Sequence, residues 1–337
     1  MSLEALWFGE PPAWQRALAT MLLGPPSLLV RLGVGARNAL FDVGALPSTR
    51  VEGLQVVSVG NLVVGGAGKT PLVIYLAQWA LAAGRRVAVL TRGYGRRGRG
   101  PLDFDAASLP DELRCGDEPR LLARKAPGCR VFVDVDRVRA ARAAKAAGAE
   151  VALLDDGFQH RWLARDVDVL VEVPGASAAV LPLGPGREPA SGRRRATVRW
   201  NGPAASDPAG RLVVERLVDP SGAPARLTRA FVLTGIARPE RFVETLRGLG
   251  LEVAGARPFP DHHRFSLREL AEVTRAAAAL GATVVTTEKD RERLPAGFAA
   301  VTAESVLVVT RGRSALARAL GWPEACAPQT SMEEGAP

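Results

Sequence analysis

The chain is poor in lysine: only Lys69, Lys125, Lys145 and Lys289 occur among its 44 basic residues, and the rest are arginine. A lysine inside a candidate functional stretch is therefore hard to dismiss as surface decoration. Cysteine is as scarce, and Cys115, Cys129 and Cys326 show neither pairing nor metal-ligand spacing. That argues against a disulfide scaffold and makes a reducing cytoplasm the default compartment. Tyrosine occurs only twice, and the arginines are scattered instead of alternating with stacking rings, so a nucleic-acid platform is not expected. Repeats and heptads are absent. Glu4, Glu10 and two prolines stand where a secretory signal would have its basic start and apolar core, so no cleavable signal is expected.

What is present is a 337-residue chain with an apolar fraction of 47%, enough for about two globular domains. The net charge of +9 points to an anionic partner: nucleic acid, a phosphorylated substrate or an anionic membrane surface.

The stretch Val56 to Ala77, VVSVGNLVVGGAGKTPLVIYLA, organises the rest. A β-branched run, Val56 to Val59, meets Gly65, Gly66, Ala67 and Gly68, then Lys69 and Thr70, then an apolar segment over Leu72 to Leu81 that reads as a helix. Glycines let backbone N–H groups turn inward, the helix start adds partial positive charge, and Lys69 reaches the β/γ-phosphates while Thr70 ligates Mg²⁺. Val63 stands where the generic phosphate-loop pattern has its first glycine. Nucleotide phosphate binding is the reading, with an ordinary strand-to-helix turn as its alternative.

Downstream, strands alternate with helices: Arg86 to Leu90, Val131 to Val133, Glu150 to Leu154 and Asp168 to Val173. That pattern predicts an α/β fold with a doubly wound, mainly parallel sheet and ligands at the carboxyl ends of its strands. Between these strands lie the basic loop TRGYGRRGRG, which either holds phosphate or is merely solvated, and the acidic pair Asp117-Glu118 at a helix start, where carboxylates are often only caps. The strand ending in Asp155-Asp156, roughly 85 residues beyond the phosphate loop, is where a nucleoside triphosphatase keeps the carboxylate that holds Mg²⁺ through water. Adjacent aspartates are costly unless a cation shares them. After a Gly- and Pro-rich stretch in which Leu212 to Leu217 alternates like an antiparallel strand, a second run of strands and helices begins at Ala230.

The three histidines are His160, His262 and His263. Asp261-His262-His263 suggests either a metal site or a catalytic or orienting histidine, and the lack of further ligands favours the second. At the other end, Trp14 to Phe41 is apolar with sparse arginines and is broken by Gly24-Pro25-Pro26, leaving halves too short to span a bilayer. It reads as an interfacial hairpin, an amphipathic surface helix, or a helix packed on the core.

The loop GNLVVGGAGKTP followed by TRGYGRR, GDEP, DDGFQH, LGPGREP, FPDHHRF and TTEKD, in this order over nearly the whole chain, closely resembles the tetraacyldisaccharide 4'-kinase family, the lipid A 4'-kinases of Gram-negative bacteria. Val63 fits that family's own loop. The resemblance implies a P-loop NTPase-like kinase that uses ATP and Mg²⁺ to phosphorylate the 4'-hydroxyl of a tetraacylated glucosamine disaccharide 1-phosphate, giving lipid IVA at the cytoplasmic face of the inner membrane. It implies Asp117 as catalytic base oriented by His262, with His263 the alternative partner. Glu118, Asp155 and Asp156 then support the metal and the loop, while Arg137, Arg187 and Glu188 position substrate or balance transition-state charge.

On this reading residues 1–44 form a membrane-docking helical segment, 45–200 the P-loop kinase core and 201–229 a linker. Residues 230–322 form a smaller α/β domain, and 323–337 a disordered tail. The expected partners are a membrane-embedded glycolipid and the anionic membrane surface, met peripherally, with no nucleic acid and no obligate protein partner. Closure of the domains on ATP is expected. A regulatory P-loop ATPase or GTPase acting on a protein partner is the rival reading, but it leaves Asp261-His262-His263 and the apolar N-terminus without a task.

Overall fold

The computed structural model describes residues 3–9, 11–175 and 177–329. The chain runs through α1 (Leu3–Phe8), α2 (Ala13–Asp42), β1 (Gln55–Gly60), α3 (Lys69–Ala82), β2 (Val87–Thr91), β3 (Leu102–Phe104), α4 (Glu112–Cys115) and α5 (Asp117–Lys125). It continues through β4 (Arg130–Val133), α6 (Arg137–Ala146), β5 (Val151–Asp155), β6 (Val167–Val171), β7 (Val198–Trp200) and β8 (Ala209–Val218). The last stretch holds β9 (Arg229–Thr234), α7 (Pro239–Gly248), β10 (Glu252–Pro258), α8 (Leu267–Ala279), β11 (Thr283–Thr287), α9 (Glu288–Arg291), β12 (Val301–Arg311) and α10 (Arg313–Leu320).

These elements form two compact units, each discontinuous in sequence. The first comprises the residues up to Thr91, Asp134–Gly210 and Val309–Pro328; the second comprises Arg92–Val133 and Arg211–Val308. The segment 92–133, expected within a contiguous core over 45–200, groups instead with the C-terminal strands. The cause is electrostatic as well as apolar, because α5 is clamped to α9 and the turn after it by Arg120–Glu292 and Lys125–Glu288 pairs at 2.7 Å each. Glu292 keeps only 5% of its side chain exposed.

In the first unit the strands lie in the order β2-β5-β1-β6-β7, all parallel, with Val59 of β1 opposite Asp155 of β5. Their Val- and Leu-rich sequences are buried along nearly their whole length, as expected for parallel strands covered on both faces. Helix α3 is apolar all round and buries Leu72, Val73, Leu76, Ala77 and Trp79, so it packs as a core helix.

Helix α2 departs from the expected interruption at Gly24-Pro25-Pro26. It runs unbroken for 30 residues with Pro25 and Pro26 inside it. Proline removes one donor and crowds the carbonyl four residues back, but its fixed φ is itself helical. The disruption therefore stays within one turn, and Ser27 directly after it is buried, its hydroxyl donating to the Val180 carbonyl at 2.7 Å. By length and composition the helix suffices to cross a membrane, and only 11% of its most apolar 18-residue stretch is buried.

Part of the expected disordered tail is ordered: Trp79 donates through Nε1 to the Pro323 carbonyl at 2.8 Å, and a 3-10 turn forms at Glu324–Cys326. Trp322 is buried and donates to Gln55 Oε1 at 2.9 Å. These indole bonds fasten the segment to α3 and to β1. Residues 330–337 of that tail lie outside the described residues.

The second unit is built on a sheet of order β10-β9-β11-β12-β8, in which β9 is parallel to β10 and β11, and β11 to β12. The Arg216–Glu304 pair and the Thr310 hydroxyl on the Ala209 carbonyl run in opposite senses along β8 and β12, which makes β8 the antiparallel edge strand suggested by the alternation of Leu212 to Leu217. Helix α8 starts with a full capping box between Ser266 and Glu269. Phe231, Leu233, Leu270 and Val273 form one apolar cluster beside it. The unit also carries β3 and β4 as an antiparallel pair.

Candidate active site

The residues singled out in the sequence fall into two constellations, one in each unit.

In the first unit, β1 ends at Gly60 and α3 starts at Lys69, with the glycine-rich loop between them. Gly65 and Gly68 adopt φ of 99° and 75°, Gly68 forming the left-handed cap of α3. A side chain at either position would be strained, which is why glycine is needed there. Gly66 and Ala67 complete the turn beside them.

Lys69 reaches Asn61 Oδ1 at 3.3 Å and Asp156 Oδ1 at 3.4 Å. Arg187 Nη1 donates to both oxygens of Asp156, at 2.8 and 2.7 Å. Burial pushes the Asp156 carboxyl up, but the charges of Lys69 and Arg187 overcome it and hold the group below the ordinary carboxylate value. The adjacent aspartates thus avoid each other: Asp155 stays in β5, 4% exposed, while Asp156 sits at φ 55° and turns toward the two cations.

Two carboxylates of the expected metal set have cationic partners in this structure. Asp156 is already neutralised by Lys69 and Arg187, and Glu118, in the second unit, is held by Lys289 at 3.1 Å. Among the described residues no group of three His, Cys, Asp or Glu side chains stands close enough to hold a metal ion. Mg²⁺ in nucleotide sites takes one or two protein oxygens and completes its shell with phosphates and water. A buried carboxylate such as Asp155, paired in register with Val59 just before the glycine-rich loop, therefore fits it; Thr91 Oγ1 lies 3.4 Å from the same carboxylate.

Glu188 and Arg137 take places that sequence spacing does not show. The Glu188 side chain is fully buried and accepts from Asn38 at 2.9 Å, Gln159 at 2.8 Å and Arg195 at 2.6 Å. Gln159 also donates to the Asn61 carbonyl at 2.8 Å. Glu188 therefore ties α2 to the residue that leads into the glycine-rich loop. Arg137 is 3% exposed and donates back to the carbonyls of Asp134 and Val135. A guanidinium so enclosed secures the turn into α6.

In the second unit Asp117 opens α5 and is 3% exposed. His262 Nδ1 lies 3.0 Å from its Oδ2 and 3.2 Å from its Oδ1. His263 turns away, its Nε2 3.1 Å from Glu269 Oε1 and its ring stacked on Phe259. The structure thus separates two histidines that the sequence leaves equivalent.

Burial raises the Asp117 carboxyl, but the His262 hydrogen bond and the positive charges of Lys289 and Arg293 outweigh it, so Asp117 sits below the ordinary value. The same hydrogen bond raises His262, against burial and the Lys289 charge. Together with Asp156, His262 is one of three non-glycine residues with positive φ among those described, and such positions gather at functional sites.

Sequence reasoning missed Asn61, Arg293 and Lys289. Arg293 Nε lies 3.5 Å from Asp117 Oδ2, and its guanidinium also pairs with the buried Asp290. Lysine scarcity, the signal that drew attention to Lys69, applied to Lys289 as well.

The first unit offers a glycine-rich loop with a lysine and a buried strand-end carboxylate suited to Mg²⁺, and the second an ionised carboxylate paired with imidazole; each belongs to the inventory of phosphoryl transfer to a hydroxyl. Comparison with known proteins agrees. The family model for tetraacyldisaccharide-1-P 4'-kinase matches residues 19–319. The chain is 44% identical to the tetraacyldisaccharide 4'-kinase of Anaeromyxobacter sp. (strain K), over 99% of both chains. It is 45% identical to that of Anaeromyxobacter dehalogenans (strain 2CP-C), over 91% of this chain and 90% of the other. The crystal structure of LpxK from Aquifex aeolicus in complex with ATP superposes with a TM-score of 0.76 at 28% identity, covering 92% of this chain and all of that one. A family match across most of the length, with relatives aligned end to end, shows that this chain belongs to the tetraacyldisaccharide-1-P 4'-kinase family.

Proposed function

We propose that this kinase transfers the γ-phosphate of ATP to the 4'-hydroxyl of tetraacyldisaccharide 1-phosphate, forming lipid IVA at the cytoplasmic face of the inner membrane. The observation that carries the reading is the hydrogen bond between Asp117 and His262, which a nucleotide switch does not need and a hydroxyl-phosphorylating enzyme does. The phosphate loop binds the β/γ-phosphates through its N–H groups and Lys69. Thr70 and Asp155 are the residues that would hold Mg²⁺, which when bound neutralises phosphate charge. Asp117, ionised and short of solvent, takes the proton of the attacking hydroxyl, and His262 orients it. Arg187 and Asp156 keep Lys69 in place.

The acceptor is a lipid, so the enzyme works at a bilayer. Exposed Trp14, Met21, Leu22, Leu28, Leu29 and Leu32 on α2 support docking of this helix into the membrane surface, with exposed Arg16 and Arg31 meeting anionic headgroups. The association is read as peripheral, and neither nucleic acid nor an obligate protein partner enters the reaction. The test is transfer of radiolabelled γ-phosphate to tetraacyldisaccharide 1-phosphate in mixed micelles. Labelled lipid is the expected result, whereas ATP hydrolysis without a lipid product would sink the reading.

A further inference from the structure

Lys289, the second residue of α9, sits beside the dyad without a role in the account above. Its Nζ lies 3.2 Å from His262 Nε2, 3.1 Å from Glu118 Oε1 and 3.2 Å from Asp261 Oδ1. An ammonium group has donors only, so Nε2 of the ring must accept from it. On the other side of the ring Nδ1 faces the Asp117 carboxylate, which when ionised can only accept. The two contacts together put the imidazole proton on Nδ1.

That proton position is contested, because a second carboxylate flanks the ring: Asp261 Oδ2 stands 3.8 Å from Nε2. Without the lysine, Asp261 would draw an N–H toward Nε2 and compete with Asp117 for the ring. With Lys289 present, Asp261 is engaged by the ammonium, and in the neutral imidazole Nε2 is taken up as the acceptor of that contact. Glu118 and Asp261 in turn keep the lysine charged against its burial. The Tyr94 ring, 5.2 Å from the imidazole centroid, covers a further side of His262.

We propose that Lys289 is a positioning residue for phosphoryl transfer, which holds His262 in the Nδ1–H tautomer so that the imidazole donates to Asp117 and aims its carboxylate at the acceptor hydroxyl. In the neutral ring Nε2 is then occupied by the Lys289 ammonium, and Asp117 itself receives the substrate proton. This rests on the reading of Asp117 as the base.

The test uses full-length protein with ¹⁵N-labelled histidine in micelles, about two pH units above the ordinary imidazole value. With His160, His262 and His263 the only histidines, the ring signals can be assigned by substitution. The wild type is expected to show His262 as Nδ1–H. In Lys289→Met the signal moves toward Nε2–H, and kcat falls about tenfold or more with KM for ATP within about twofold. Lys289→Arg, which restores a charged donor, recovers most of kcat and the Nδ1–H form. A wild-type spectrum with the proton on Nε2 overturns the proposal whatever the variants do. So does Lys289→Met with unchanged tautomer and kcat, or with its whole loss in KM. Failure of the underlying reading is separate: an active Asp117→Asn enzyme would remove the base without altering the wild-type tautomer.

Discussion

His262 Nδ1 lies 3.0 Å from Asp117 Oδ2 across 145 residues of chain, while its neighbour His263 reaches Glu269 in the opposite direction. The consequence is an unequal response to substitution. Asp117→Ala and His262→Ala should each lower kcat by about a hundredfold or more, the range for loss of general-base action, and His263→Ala by much less. Steady-state transfer of labelled phosphate to lipid decides it; equal losses at the two histidines would mean that the pairing is not what matters.

The same pair predicts a pH signature in stability. The folded state raises the His262 pKa above its ordinary value, so its contribution is full below about pH 6.5 and declines as pH rises through the folded value. Asp117, held below the ordinary carboxylate value, contributes above about pH 4 and loses its effect as pH falls through the folded value. His262→Gln should therefore lower the Tm more at about pH 6 than at about pH 9. A difference of the opposite sign in thermal scans would contradict the assignment.

Asp156 joins Lys69 and Arg187. Asp156→Asn leaves both cations without their counter-charge and should cost roughly ten- to a hundredfold in kcat, as expected when groups that position phosphate are loosened. Because one Arg187 nitrogen spans both carboxylate oxygens, a point charge can replace it in part. Arg187→Lys should accordingly retain more activity than Arg187→Ala, as kinetics with ATP varied would show.

Asp290 is fully buried and accepts from Thr234, Gly235, Thr287 and Arg293. Asp290→Ala removes the nearer counter-charge of Arg293, 1% exposed at its side chain, and leaves it only the longer contact with Asp117 at 3.5 Å, at a cost of about 3 kcal/mol. Urea unfolding should show a lower midpoint of that size; a loss below about 1 kcal/mol would place the pair among weak surface contacts.

On α2, Leu22 and Leu29 are 60% and 71% exposed. If this face enters the bilayer surface, the double substitution Leu22→Asp, Leu29→Asp removes about 3–6 kcal/mol of apolar burial and should weaken flotation with anionic vesicles at least tenfold. Hydrolysis of ATP by the same protein reports that the fold survives. Unchanged flotation would assign the helix to another contact.

The strand, glycine turn and helix around Lys69, the aspartate at the end of β5 and the alternation of strands with helices were legible in residue order, because each depends on neighbours within a few positions. So was the family, whose motifs occur in a fixed order along the chain. Packing decided the rest. Whether α2 breaks at Pro25-Pro26 depends on what anchors the turn after it, and Ser27 on Val180 lies 153 residues away in sequence. That Asp156 meets Lys69 depends on a left-handed backbone turn and on Arg187. Which of two adjacent histidines serves Asp117 is fixed by opposite side-chain directions at positions that composition cannot distinguish. Local propensity sets the elements and the chemistry available. Long-range contacts choose which side chains meet, since that choice is made by shape and charge between segments that sequence order keeps apart.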